Sequence, residues 1–84
     1  MPSSLHSSRY RAFRTLIISA REAAGLTQVE VARRLGKPQS FVSKYEWGER
    51  RLDFTEFVEV ADLLGVDVAK FVGAYRSKLD IKTG

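Results

Sequence analysis

Apolar side chains in this chain recur three or four residues apart, and glycines at 25, 36, 48 and 65 cut the pattern into segments of helix length. That spacing marks one face of an α-helix, which advances about 100° per residue. No segment shows the strict alternation of a half-buried strand. The spacing predicts a first helix from about Ser8 to Ala24, with Phe13, Leu16, Ile17, Ala20 and Ala24 on one face. Thr27-Gln28-Val29-Glu30 has the form of a capping box, in which the Thr hydroxyl takes an orphan amide and Glu30 reaches back. It opens a second helix that ends at Leu35-Gly36, with Val31, Ala32 and Leu35 facing inward and Leu26 packed just ahead. A turn, Gly36-Lys37-Pro38, leads into a third helix over about Gln39–Trp47, where proline suits the first position. Asp53-Phe54-Thr55-Glu56 repeats the capping signal, and a fourth helix follows to Leu64 with Phe57, Val60, Ala61 and Leu64 inward. Beyond Gly65-Val66-Asp67, the stripe Val68, Phe71, Val72, Tyr75 and Leu79 predicts a fifth. The expectation is an all-α fold, with one domain over residues 8–80. Residues 1–7, His6 included, are read as a disordered tail and residues 81–84 as a C-terminal tail.

At 84 residues there is room for one small domain. The chain has no Cys and one His, which removes disulfides, thiolate metal sites and a cysteine nucleophile. It has no Gly-rich phosphate loop, and Glu56 and Glu59 fall on what should be a solvated helix face. No enzymatic activity, metal or cofactor is therefore expected. No apolar run approaches the ~20 residues that span a bilayer, so no membrane role is expected and the location should be cytoplasmic. The first 21 residues are rich in Ser and Arg and lack acids, as organelle transit peptides do. Their apolar stripe continues into the next element, which favours a helix of the domain instead.

Charge is unevenly placed. Residues 1–51 carry ten basic side chains against four acidic ones, whereas residues 52–84 carry four against six. Such polarity can steer a polyanion to one side of a molecule. On a helical wheel with Gln39 at zero, Ser43, Trp47, Ser40 and Lys44 fall at roughly 40°, 80°, 100° and 140°. Phe41, Tyr45 and Val42 fall at roughly 200°, 240° and 300°, with Glu46 on the border near 340°. The predicted outer arc is polar and free of acid. Gln and Ser can hydrogen-bond base edges in a major groove, and Lys can reach guanine or phosphate. Polar outside and apolar inside also describes any surface helix.

The order of motifs goes further. Residues 21–66 include Leu-Thr-Gln at the start of the second helix, Ala32 within it and Gly36 at the turn. They continue with Val42-Ser43, Glu46 and Gly48 around the third helix, then Ala61 and Leu64-Gly65-Val66. This series resembles the Cro/cI-type helix-turn-helix family of phage and bacterial repressors, whose fold is a compact five-helix, lambda-repressor-like DNA-binding domain. The resemblance implies roles for individual residues. Gln39, Ser40 and Lys44 match positions that touch base edges, with Ser43 a more variable neighbour. Gln28 matches a residue that binds phosphate and braces the reading helix. Arg50 and Arg51 look like phosphate contacts, and Arg21 with Glu46 matches an ion pair tying the first helix to the third. Two positions depart from the family pattern: Pro38 stands where Ser or Thr often caps the third helix, and Trp47 where small or polar residues are common.

The partner implied is double-stranded DNA, bound by a repressor-like transcriptional regulator. One such domain touches few base pairs, so a homodimer on an inverted repeat is expected, through Val58, Leu63, Phe71, Val72 and Tyr75 of the last two helices. The rival function is an antitoxin or adaptor that uses the same fold mainly to bind protein.

Overall fold

The computed structural model describes residues 7–83, with side chains through residue 79. Its helices are α1 (Ser8–Ala23), α2 (Gln28–Leu35), α3 (Gln39–Trp47), α4 (Phe54–Leu64) and α5 (Val68–Thr83). Among the described residues all regular structure is helical. Residues 1–6 of the expected N-terminal tail, His6 among them, lie outside the described residues. Ser7 belongs to the fold as the cap of α1, its hydroxyl accepting from the Tyr10 amide at 3.1 Å. The C-terminal tail expected over 81–84 is instead helical through Thr83.

Local chemistry sets the helix starts. In α2 the Thr27 hydroxyl accepts from the Glu30 amide at 3.1 Å, and Glu30 accepts from the Thr27 amide at 2.9 Å. In α4 Asp53 and Glu56 do the same at 2.8 and 3.0 Å. The first orphan amides of each helix thereby find partners. α3 starts at Gln39 as expected, and Pro38 sits at its N-cap, where it supplies no side-chain cap.

Two turns place α3. Gly36 and Gly48 bound it with φ of 71° and 82°, a left-handed conformation in which a Cβ would be strained. A Cβ at Gly48 would also displace the Arg14 guanidinium of α1, which packs against this turn.

The core is built from Ile17 of α1, Val31 and Ala32 of α2, and Val42 and Tyr45 of α3. Phe57, Val60, Ala61 and Leu64 of α4 and Phe71 of α5 complete it. Phe13, Leu16, Ala20, Leu26 and Leu35 pack against it half-buried, whereas Ala24 is exposed. Tyr10, absent from the predicted stripe, is buried, and its hydroxyl donates to the Arg50 carbonyl at 3.1 Å. α3 packs against both α2 and α1, which holds it at the surface along one remaining edge.

Candidate nucleic-acid interface

The position of α3 depends on one buried carboxylate. Glu46 is 3% exposed and accepts from Arg21 Nε at 2.7 Å and Arg21 Nη2 at 3.1 Å. It also accepts from Gln28 Nε2 at 2.9 Å, while Arg21 Nη1 donates to the Leu26 carbonyl at 2.8 Å. A charge taken out of water is tolerable only when it is paired and its remaining hydrogen-bonding capacity is used. Here one carboxylate joins α1, α2 and α3, and its hydrogen bond raises the Arg21 pKa above its ordinary value. The expected Arg21–Glu46 pair is present. Gln28, expected to brace the third helix, is bonded to the same carboxylate and so links α2 to α3.

With α3 so held, Gln39, Ser40, Lys44 and Trp47 are exposed. They form an outward edge with no acidic side chain. Ser43 does not belong to it, which corrects the expectation that it contacts bases. It is buried, and its hydroxyl donates to the Ser40 carbonyl at 3.4 Å. α3 packs against both α1 and α2, and Ser43 falls within its buried arc.

The two arginines after α3 diverge. Arg50 is half-buried, with its guanidinium 4.8 Å from the Phe41 ring and bonded to Glu56 at 3.2 and 3.3 Å. Much of its charge is thus directed at α4. Arg51 is exposed and lies 5.0 Å over the Tyr10 ring. Two residues missed in the sequence join this surface. Phe41 is half-buried and holds cations on its ring, Arg50 and also Lys37 at 5.3 Å. Lys37 is exposed in the turn before α3. A basic residue in the turn that leads into α3 was the available signal, and it lies ahead of the helical wheel, which starts at Gln39.

The residues expected to face a second subunit separate into two groups. Phe71 lies in the chain's own core, its ring centroid 4.9 Å from Phe57 and 5.7 Å from Phe13, so it is not a free interface residue. Val58 and Leu63 are half-buried against the same core. Val72 and Tyr75 line, with the edge of Phe71 at its floor, an apolar cleft of about 440 Å³ between the starts of α1 and α4 and the face of α5. Phe54, which the sequence reading left out of the interface, stands at this cleft 72% exposed. No helix among the described residues is long and apolar enough to cross a membrane.

This arrangement of braced α2, glycine turn and outward α3 is what a helix-turn-helix protein uses to meet DNA. The helix-turn-helix family profile matches residues 17–71. Among solved structures, an XRE-family like protein from Pseudomonas syringae pv. tomato str. DC3000 is similar at 45% identity and a TM-score of 0.81. The match covers 89% of this chain and 92% of that one. No curated protein matches. The chain belongs to the XRE/Cro-cI-type helix-turn-helix family, and its function is of the DNA-binding, transcription-regulator type.

Proposed function

We propose that this protein reads specific double-stranded DNA sequences with α3 and acts as a repressor-like regulator without catalytic activity. The observation that carries the reading is the acid-free edge of Gln39, Ser40 and Lys44, held outward by the buried Arg21–Glu46–Gln28 network. Gln39 and Ser40 hydrogen-bond base edges, and Lys44 reaches guanine or phosphate. Gln28 and Arg51 contact phosphates at the flanks. Arg50 contributes its field to the same surface while it holds Glu56.

In this reading two copies bind an inverted repeat, with their α3 helices about 34 Å apart on one face of the duplex. The cleft with Phe54 at its edge supports self-association, because an aromatic ring standing in water beside an apolar hollow gains by being covered.

Selection of bound duplexes from a random pool tests the reading, and an inverted repeat among the enriched sequences is the expected result. On the selected duplex, affinity should fall about 10³–10⁵-fold between 50 and 200 mM salt if six to ten phosphates are neutralised. No enrichment, with no salt-dependent binding, would overturn the proposal in favour of a protein-binding adaptor.

A further inference from the structure

Trp47 is the chain's single tryptophan, and at 63% exposed it leaves most of its indole in water. It follows Ser40 by seven residues, so it lies almost in line with Ser40, about two turns and 10 Å further along α3. The N-terminal residues of a reading helix meet the base edges. The major groove is about 12 Å wide, so with α3 entering it by its N-terminal end, a side chain about 10 Å further along the same line stands at the groove wall, where sugar and phosphate lie. Lys44 precedes Trp47 by one turn, and Arg50 and Arg51 follow it, with Glu49 the acid between them. The apolar cleft beside Phe54 and Val72 does not include Trp47 in its lining, so an occupant of that cleft does not account for the exposed indole. The chemistry of indole suits the wall. Its flat apolar ring covers deoxyribose carbons, and its N–H is a donor with no competing acceptor.

We propose that Trp47 is a DNA contact, its ring laid against the sugar and its Nε1–H donated to a phosphate oxygen beside the bases that α3 reads. The proposal rests on α3 being the reading helix and extends its surface from the base edges to the backbone. Because every nucleotide carries the same sugar and phosphate, this contact adds affinity without preference among bases.

The test uses the full chain and a fluorescein-labelled duplex of the sequence enriched by selection. Anisotropy of the label reports binding, while Trp47 emission and its quenching by acrylamide report whether the indole is covered. Saturating DNA should make the indole severalfold less quenchable. Trp47→Ala should weaken binding about tenfold, as for the loss of a hydrogen bond to a charged group, on selected and unrelated duplexes alike. Trp47→Arg, which supplies new donors at the same place, should recover most of that loss. Melting temperatures of both variants should match the parent, since the side chain is exposed. An indole equally quenchable in a complex that anisotropy shows to be saturated would overturn the contact while leaving the reading of α3 intact. Protection that appears on concentrating the protein without DNA would overturn it by placing Trp47 in a protein interface. Absence of any anisotropy change would remove the DNA reading and this contact together.

Discussion

Glu46 concentrates the connection between three helices in one side chain, so the largest effect of a single substitution should appear there. Glu46→Ala leaves the Arg21 guanidinium, itself only 15% exposed, without its partner. Loss of one member of a buried pair costs about 3–5 kcal/mol, and urea denaturation should show a loss of that size. Gln28→Ala removes one bond from the same carboxylate but leaves the ion pair, so the loss should be nearer 1 kcal/mol. Along α3 the residues divide by where they point. Lys44→Ala should reduce discrimination at one base-pair position by about 1–3 kcal/mol, seen by competition between duplexes that differ at that position. Ser43→Ala should leave discrimination unchanged, because the hydroxyl is turned to the Ser40 carbonyl inside the fold. If Ser43→Ala alters base preference as much as Lys44→Ala, the orientation of α3 given above is wrong.

At the scale of elements, the helix starts respond to acid. The Glu30 carboxylate is held below its ordinary pKa by the Thr27 amide. Asp53 is lowered by the Glu56 amide and the Thr55 hydroxyl, and Glu56 by the Asp53 amide and then Arg50. A carboxylate whose folded pKa lies below its unfolded value stabilises the fold above the unfolded pKa, and that contribution is lost as pH falls through the folded one. Thermal stability should therefore be insensitive to these groups near neutrality and decline below about pH 4. Asp53→Asn keeps a capping oxygen but removes one titration, and should flatten that decline in melts followed by circular dichroism. Tyr45 gives the alkaline counterpart. Burial pushes its phenol above the ordinary value, so its contribution is present below about pH 10 and is lost as pH rises beyond. The two capping boxes and the ends of α2, α3 and α4 were legible in the sequence, because each depends on residues three or four apart. The continuation of α5 to Thr83 was not, since no break follows Leu79 to mark its end.

For the whole molecule, the proposed self-association through the apolar cleft and the proposed DNA reading through α3 draw on separate sets of residues, so they should be separable by mutation. Phe54→Lys places a charge on a side chain that is 72% exposed, so the fold should tolerate it. If the proposed dimer forms through this cleft, the parent should sediment as a dimer and the variant as a monomer at the same concentration. The variant should also lose the tighter binding to an inverted repeat while keeping weak binding to a half-site, measured by anisotropy on the two duplexes. A variant that remains dimeric would place the interface elsewhere. What the sequence determined by itself was the number of helices, the glycine turns, the capping residues and the outward character of Gln39, Ser40 and Lys44. These follow from short-range hydrogen bonding and from the angular step of a helix. That Ser43 and Phe71 face inward, that Phe54 stands out, and that Arg50 engages Glu56 and Phe41 came from the packing of helices on one another. A wheel gives the direction of a side chain from its own helix axis, but burial depends on how many neighbouring helices close over that direction. For α3 those neighbours are α1 and α2 together, and how far they close over its flank is set by the packing of the helices, not by the residues of α3 alone.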